Sequence, residues 1–343
     1  MISFIIITHN KFFICDVVIY NEYEIEMLIA SLLIILGFAG LIFGANWLVE
    51  GASALAKKNK VSDLVIGLTI VAFGTSAPEL VINSVASFDG LPDIVFGNII
   101  GSNNFNLFVI LGIAGLIYPI TVQTSTAWKE IPISLVSAVL VLLLANNFFS
   151  QQQSEISRID GIVLLIGFSL FIYYVFTQLK HEKVEEIAYK AQPNYKIWGL
   201  IILGMAGLII GGKLVVDNSI AIATDLRISQ KIIGLTIIAA GTSLPELVTS
   251  IVAALKKNSD IAIGNVIGSN IFNLLLILSI SSFVKPIAYN PNFNQQLFIL
   301  IGGTIFLIIA MFTGKRKKLD RWEALLLLSF YVIYTIYLVA KEL

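Results

Sequence analysis

The chain has almost none of the side chains that build covalent or soft-metal chemistry. It contains one cysteine, Cys15, which excludes an intrachain disulfide. Its two histidines, His9 and His181, lie outside the apolar runs, so the sequence offers no His/Cys cluster for zinc or another transition metal. An intramembrane protease would need paired aspartates or a serine–histidine pair, and no apolar run contains a histidine. We therefore expect no enzymatic activity.

Charge is also scarce. Only 13% of the residues are charged, whereas a soluble protein would have about a quarter. The formal net charge is zero, without a basic excess for nucleic acid. Hydrophobic residues make up 57%, the mean hydropathy is +0.90, and the apolar runs approach the roughly 20 residues that span a bilayer. Since period-2 alternation is absent, we predict an all-α integral membrane protein whose main partner is lipid.

Ten apolar segments are predicted to be transmembrane helices. A polar linker, residues 180–195, separates five of them from the other five and is too short for a folded domain. Residues 1–26 match neither a signal peptide nor a span, so we interpret them as a non-essential extension that ends before Met27. The remaining units are 27–179 and 196–343. The ten segments are 27–54, 62–87, 93–117, 128–146, 157–179, 196–222, 229–255, 260–283, 295–313 and 322–340.

The two five-segment units repeat one another. Gly-Thr-Ser-x-Pro-Glu occurs at residues 74–79 and again at 241–246, and Gly-Asn-x-x-Gly-Ser-Asn occurs at 97–103 and again at 264–270. Residues 62–111 align with 229–278 without a gap and are identical at 29 of 50 positions. Identity of Gly, Pro, Glu, Ser and Asn at a constant offset is not expected from a chance similarity of apolar helices.

The odd number of segments per repeat predicts that the second repeat lies inverted relative to the first, as in many secondary transporters. The loops then divide into two faces. One face carries 15 of the 22 Lys and Arg residues and the other carries 6, with Lys213 inside a segment. The positive-inside rule therefore places the linker 180–195 in the cytoplasm and both termini outside a cell membrane.

Each first motif is predicted to break its helix. Pro78 has no N–H for the carbonyl of Gly74, and its ring crowds the preceding turn. Pro245 and Gly241 repeat this arrangement. Backbone carbonyls released by a break are tolerated within a membrane only where they face a cavity. Broken helices near the middle of the bilayer are therefore expected.

Oxygen-bearing side chains cluster around these breaks. Glu79 and Glu246 are costly within a span unless they hold a ligand or a proton. Neighbouring hydroxyl and amide groups share their helical faces, and a set made only of oxygen ligands suits Ca²⁺, Na⁺ or, less well, Mg²⁺. Two carboxylates balance one Ca²⁺ or two Na⁺. Ser, Thr and Asn also join membrane helices without binding ions, and that interpretation stays open for isolated ones.

At these residues the chain resembles the cation/calcium exchanger superfamily, specifically its prokaryotic sodium/calcium exchanger-like members. The resemblance covers about residues 27–342 and implies ten helices in two inverted halves. It implies that Glu79 and Glu246 bind Ca²⁺ with Thr75 and Thr242, and that no cofactor is required beyond the transported ions. The Na⁺ ligands it implies are Ser76, Ser102, Ser243 and Ser269 with the carbonyls of Ala72 and Ala239, and we add the amides of Asn106 and Asn273 to the site.

Two features bear on the coupled ion. Potassium-dependent relatives carry an acid at the position of Asn106 or Asn273, and both are Asn here, which argues against K⁺ dependence. Proton-coupled relatives tend to have Gly-Asn rather than Gly-Thr-Ser before the glutamate, which favours Na⁺ over H⁺. The sequence does not predict a stoichiometry or a required protein partner.

The hypothesis is an antiporter that exchanges Ca²⁺ for Na⁺ by alternating access at one shared site. Two alternatives remain: a Ca²⁺/H⁺ antiporter, in which the glutamates bind protons, and a cation channel lined by acidic residues. For alternating access we predict that the first and sixth segments slide as a pair against the other eight. The predicted sliding face consists of Gly37, Gly40, Gly44, Gly204, Gly207 and Gly211.

Overall fold

A computed structural model of the protein describes residues 2–146, 154–181, 192–226, 239–313 and 317–342. The first helix, α1, runs from Ile2 to Asn59. Helix α1 passes through Met27 without a break, and the interpretation of residues 1–26 as a non-essential extension stays a prediction. The sequence explains the continuous helix: the first glycine is Gly37 and the first proline is Pro78, so nothing before them interrupts a helix.

The rest of the first repeat is helical, with three π-helical turns. The chain passes through α2 (Asp63–Ile66), a π turn (Gly67–Val71), α3 (Ala72–Thr75), α4 (Ala77–Asp89), α5 (Pro92–Asn104), a π turn (Phe105–Ile110), α6 (Leu111–Ile117), a π turn (Thr126–Glu130), α7 (Ile131–Ala145) and α8 (Arg158–His181).

The second repeat follows the same pattern. Most of the predicted linker 180–195, and residues 227–238 of the predicted segment 229–255, lie outside the described residues. The elements are α9 (Asn194–Asp225), α10 (Ala239–Gly241), α11 (Leu244–Leu255), α12 (Ser259–Ile271), a π turn (Phe272–Ile277), α13 (Leu278–Val284), a 3₁₀ turn (Pro291–Phe293), α14 (Asn294–Ala310) and α15 (Arg321–Glu342).

Eight helical stretches within the described residues are long and apolar enough to cross a membrane. A ninth is formed if α2 to α3 and α4, which bend by 47° at Ser76, are counted as one span. Two of these stretches, 92–117 and 259–284, are 78% and 94% buried, whereas 158–178 and 321–338 are 22% and 17% buried. The repeated Gly-Asn-x-x-Gly-Ser-Asn helices therefore form the centre, and α8 and α15 lie on the lipid-facing outside.

Two short antiparallel strand pairs join the repeats at their loops. β1 (Ile120–Thr121) pairs with β4 (Lys318–Leu319), and β2 (Glu155–Ile156) pairs with β3 (Ile287–Ala288). Each pair contains one strand from each repeat. Because successive loops alternate between the two sides of a membrane, both partners in each pair belong to one predicted face.

The six predicted sliding-face glycines lie between α1 and α9. A Cβ atom on Gly204 would lie 2.6 Å from the backbone nitrogen of Leu48, and one on Gly211 would lie 2.6 Å from the carbonyl oxygen of Gly37. Gly40 and Gly207 approach each other in the same way. The glycines therefore let the two backbones of the pair touch. The prediction that they line the face turned toward the other helices is wrong.

Candidate functional site

Both Gly-Thr-Ser-x-Pro-Glu motifs break their helix. α3 ends at Thr75, Ser76 leaves the helical conformation with φ −84° and ψ 5°, and α4 begins at Ala77. In the second motif α10 ends at Gly241, Ser243 has φ −90° and ψ 9°, and α11 begins at Leu244. Each proline then lies in the first turn of a new helix, where its missing N–H costs nothing. The predicted breaks are present at both positions.

The two glutamates lie in the first turns of the helices that follow the breaks. Each side chain is only 1% exposed, and the two carboxyl groups are close enough to interact electrostatically. Neither oxygen of Glu79 has a hydrogen-bond partner among the described residues, and the same holds for Oε2 of Glu246. A helix N-terminus favours negative charge, but three buried carboxyl oxygens without a donor call for a cation or a proton.

Each glutamate faces hydroxyl groups of the opposite repeat. Ser76 donates from Oγ to Oε1 of Glu246 at 3.0 Å, and Ser269 reaches the same oxygen at 3.5 Å. Thr242 and Ser243 neighbour the carboxyl group of Glu79. The site is therefore shared between the repeats, which the sequence analysis did not specify.

The hydroxyl groups of Thr75 and Thr242 are hydrogen-bonded to side-chain amides. Thr75 donates from Oγ1 to Oδ1 of Asn265 at 3.0 Å, and Asn265 in turn donates from Nδ2 to the carbonyl oxygen of Glu246 at 3.2 Å. Asn98 donates from Nδ2 to Oγ1 of Thr242 at 3.2 Å. Asn98 and Asn265 were absent from the predicted site, although both occur at equivalent positions of the repeated second motif. That repetition was the signal that could have found them.

Four further amides join the repeats at the centre. Asn103 and Asn270 each donate from Nδ2 to the other's backbone carbonyl oxygen, at 3.2 and 3.3 Å. Asn106 donates to Oδ1 of Asn270 at 3.1 Å, and Asn273 donates to Oδ1 of Asn103 at 2.9 Å. Asn106 and Asn273 lie in the equivalent π turns, and π turns are frequent at functional sites. Both side chains are buried, and their assignment to the ion site stays a prediction.

The remaining predicted ligands are the backbone carbonyl oxygens of Ala72 and Ala239. The carbonyl oxygen of Ala72 accepts from the backbone N–H of Ser76 at 3.0 Å and from Oγ1 of Thr75 at 3.3 Å, so the break does not release it from hydrogen bonding. The reason is that the turn at Ser76 retains one last helical hydrogen bond before the chain bends. Ala239 begins α10, and its side chain lies outside the described residues.

Seven of the fifteen buried side-chain oxygens that lack a hydrogen-bond partner among the described residues belong to the predicted site. No group of three or more His, Cys, Asp or Glu side chains occurs in the same part of the chain, so any cation would rely on two carboxylates with neutral oxygens. This donor set fits the hard cations predicted from the sequence. The site oxygens concerned are both Oε atoms of Glu79, Oε2 of Glu246, Oγ of Ser102 and Ser243, and Oδ1 of Asn106 and Asn273.

A cavity of about 390 Å³ reaches the site from one side. It lies between α9 and the beginnings of α4 and α11, and Thr242 forms part of its wall. Thr242 is 8% exposed, whereas its equivalent, Thr75, is 0% exposed. The two halves of the site are therefore unequal in their access to the outside.

The opposite end of the helix pair is held to the core by polar contacts. Lys256 donates to the carbonyl oxygen of Asn46 at 3.0 Å, and Asn258 donates to Ser53 at 3.1 Å and to Asp63 at 2.6 Å. Burial lowers the pKa of Lys256, and the charge of Glu50 opposes that change. Lys256, Asn258 and Asp63 also line a smaller cavity of about 290 Å³, whose lining does not include the paired glutamates.

The contacts between α9 and the breaks link the helix pair to the site. Met205 packs so closely against Gly74 that a Cβ atom added to this glycine would lie 2.3 Å from the Sδ atom of Met205. Val216 packs in the same way against Gly241. These two side chains are about 16 Å apart along α9 at 1.5 Å per residue. One helix thus contacts both breaks.

Comparison with known proteins agrees with this geometry. A family model described as sodium/calcium exchanger protein matches residues 29–177 and 196–340. The sodium/calcium exchanger MaX1 of Methanosarcina acetivorans is 33% identical over 352 residues, which covers 90% of this chain and 97% of MaX1. The inner membrane protein YrbG of Escherichia coli is 35% identical over 290 residues, which covers 80% of this chain and 87% of YrbG.

The solved structures of the sodium-calcium exchanger NCX_Mj are also similar. NCX_Mj soaked with zero Na⁺ and Ca²⁺ matches with a TM-score of 0.77 and 33% identity over 91% of this chain and 99% of that one. NCX_Mj soaked with 2.5 mM Na⁺ and 10 mM Sr²⁺ matches with a TM-score of 0.76. The chain therefore belongs to the sodium/calcium exchanger family, whose members are membrane transporters and not enzymes.

Proposed function

We propose that this protein is a secondary antiporter that exchanges Ca²⁺ for Na⁺ across a cell membrane. The observation that carries the proposal is the pair of buried glutamates, each next to hydroxyl groups of the opposite repeat. One Ca²⁺ neutralises two carboxylates. Two Na⁺ do the same, so binding of one kind of ion competes with binding of the other, and this competition couples their movements.

The proposed ligands are those expected from the sequence. Glu79, Glu246, Thr75 and Thr242 would bind Ca²⁺, and the hydroxyls of Ser76, Ser102, Ser243 and Ser269 with the amides of Asn106 and Asn273 would complete the Na⁺ positions. NCX_Mj, which was soaked with Na⁺ and Sr²⁺, supports a site that accepts both an alkali and an alkaline-earth cation. Of the two carbonyls, that of Ala72 would have to exchange its present hydrogen bonds for an ion.

The proposed architecture is ten helices in two inverted repeats, residues 27–179 and 196–343, joined by a cytoplasmic linker at 180–195, with both termini outside. The contacts between loops support the grouping of loops by face, since β1 pairs with β4 and β2 with β3. The distribution of Lys and Arg supports the sidedness.

Access would alternate by movement of α1 and α9 as one body. Their glycine interface supports this because it brings the two backbones into direct contact. The exposure of Thr242 and the burial of Thr75 correspond to a state open on the side where α9 ends at Asp225. In the opposite state the contacts of Lys256 and Asn258 with α1 and α2 would open instead.

The decisive experiment measures ⁴⁵Ca²⁺ uptake into proteoliposomes loaded with Na⁺, K⁺ or choline, with and without a pH gradient. We expect uptake only with internal Na⁺, and its loss in Glu79→Gln and in Glu246→Gln. Glu130→Gln is the matched control, since Glu130 is a buried carboxyl that accepts from the hydroxyl of Tyr174 away from the pair. It should keep its uptake.

The alternatives give different results in the same assay. Uptake driven by a pH gradient without Na⁺ would identify a Ca²⁺/H⁺ antiporter. Uptake that does not saturate and needs no counter-ion would identify a channel. Loss of uptake in Glu130→Gln to the same degree as in the paired variants would remove the assignment of the site to Glu79 and Glu246.

A further inference from the structure

The cavity that reaches Thr242 carries two charged side chains that the proposed ion site does not use. Lys213 and Asp217 are the charged residues among those that line it in the described part of the chain. Both are exposed, and they stand four residues apart on α9, so they share one helical face. Charged side chains inside a span normally face water rather than lipid, which indicates that this cavity is wet.

The cavity borders both helix breaks next to the paired carboxylates, although neither glutamate lines it. Its wall includes Gly241, Thr242 and Pro245 of the second break and Ala77 and Pro78 of the first. Thr242 neighbours the carboxyl group of Glu79. A cation that approaches the site from this side therefore passes the charges of α9 before it meets its ligands.

The lysine is a feature of one repeat only. The 167-residue offset aligns Asp217 with Glu50, so an acid occurs at this position in both repeats, but it aligns Lys213 with Asn46. The backbone carbonyl oxygen of Asn46 accepts a hydrogen bond from Lys256 at the opposite end of the helix pair formed by α1 and α9. The repeated fold thus does not require a lysine at this position, so Lys213 can be replaced without disturbing an equivalent contact in the first repeat.

We propose that Lys213 and Asp217 form an electrostatic filter that sets the half-saturating concentrations of cations on this side of the membrane. This inference rests on the proposed function, because it concerns access to the same ion site. The ammonium group of Lys213 raises the potential in the cavity and lowers the local concentration of cations, and the carboxylate of Asp217 opposes it. Together they hold the local potential near zero.

The filter discriminates by valence. A potential changes the local concentration of a monovalent cation by some factor and that of a divalent cation by the square of the same factor. Removing the lysine charge should therefore favour Ca²⁺ over Na⁺. For a lysine at the wall of a partly hydrated cavity we expect roughly a two- to fivefold decrease in KM for Na⁺ and roughly a four- to twenty-five-fold decrease for Ca²⁺.

The test uses the full-length protein in right-side-out and everted membrane vesicles, with Na⁺-dependent ⁴⁵Ca²⁺ flux as the readout. Lys213→Gln should lower KM for Ca²⁺ in one vesicle orientation, with little change in the maximal rate. Asp217→Asn should raise it in the same orientation. Lys213→Arg and the double variant K213Q/D217N should both resemble the wild type, since the net charge of the wall is unchanged. Raising the ionic strength with an impermeant organic cation should reduce each shift.

The outcomes separate this inference from the proposed function. If wild-type vesicles show no Na⁺-dependent Ca²⁺ flux, the proposed function fails before the filter is tested. If the wild type exchanges but Lys213→Gln changes KM equally in both orientations, or changes Na⁺ and Ca²⁺ by the same factor, the filter is refuted. A failure of Lys213→Arg to behave like the wild type would also refute it, because the side-chain shape and not the charge would then matter.

Discussion

Ser76 donates a hydrogen bond to Glu246 at 3.0 Å, although 170 residues separate them in the chain. The donor lies in the break of the first repeat and the acceptor in the first turn after the break of the second. A change in the angle of one broken helix therefore alters the ligand environment of the other. The residues around the two glutamates therefore form one cluster that both repeats share.

Ser76→Ala should weaken cation binding. It removes a hydroxyl oxygen that we propose as a ligand of Na⁺, and loss of a contact with a charged group that contributes about 1.5 kcal/mol corresponds to roughly a tenfold increase in the KM for Na⁺. The measurement is Na⁺-dependent ⁴⁵Ca²⁺ flux over a range of Na⁺ concentrations.

Ser84→Ala is its control on the same helix. Ser84 donates only to the carbonyl oxygen of Leu80 at 2.7 Å, within its own helix. The KM of Ser84→Ala for Na⁺ should stay within about twofold of the wild-type value, because a substitution that removes only a bond within one helix has a small effect on the protein. Equal effects of the two substitutions would mean that Ser76 acts only on helix stability.

Gly204→Ala should destabilise the protein and Gly199→Ala should not, although both lie on α9. A Cβ on Gly204 meets the backbone of α1 at 2.6 Å, whereas one on Gly199 has nothing within 4 Å. Alanine normally favours a helix by about 1 kcal/mol over glycine, so only the steric contact can reverse the sign. Thermal unfolding in detergent, followed by the loss of monodisperse protein, measures the difference. A lower midpoint for Gly199→Ala, or no change for Gly204→Ala, would contradict the close helix contact.

A disulfide between α9 and the second break should stop transport. The Cβ of Val216 lies 3.5 Å from the position of a Cβ on Gly241, which is within the range of disulfides. In a Cys15→Ser background, Val216→Cys combined with Gly241→Cys should lose ⁴⁵Ca²⁺ flux on oxidation and regain it on reduction. The reduced double variant and each single variant are the controls. Flux that persists after complete cross-linking would show that α9 does not move relative to this break.

Asn103→Leu should lower the midpoint of thermal unfolding by several degrees. The substitution removes the hydrogen bond that Asn103 donates to the carbonyl oxygen of Asn270 and the one that it accepts from the side chain of Asn273. Each buried polar group left without a partner destabilises the folded state by about 1–3 kcal/mol. Asn218→Leu is the control because Asn218 bonds only within its own helix, to the carbonyl oxygen of Leu214. If both variants unfold at the same temperature, the amide contacts between the repeats contribute little to stability.

The features that the sequence predicted are local ones. Pro78 and Pro245 act on the turn in which they occur, so the broken helices follow from the chemistry of single residues. The offset of the repeats likewise identifies which residues are equivalent. Burial of both glutamates follows from their place in long apolar runs.

The features that it did not predict depend on distant parts of the chain. Glycine spacing in α1 and α9 marks a face of small residues on each helix, but it does not say whether that face meets the other member of the pair or the remaining helices. The π turn at Phe105–Ile110 contains neither glycine nor proline, so no local signal marks it. The hydroxyls that face Glu246 and Glu79 come from the other repeat, where sequence periodicity carries no information.

The exchange of polar partners between repeats has a consequence for biosynthesis. The first repeat is synthesised first, with Thr75, Asn103 and Asn106 already inside the membrane before their acceptors on Asn265 and Asn270 exist. Until α12 inserts, these groups have to be hydrated, bound to chaperones or bonded to substitutes. Insertion of the second repeat is therefore the step that completes these hydrogen bonds.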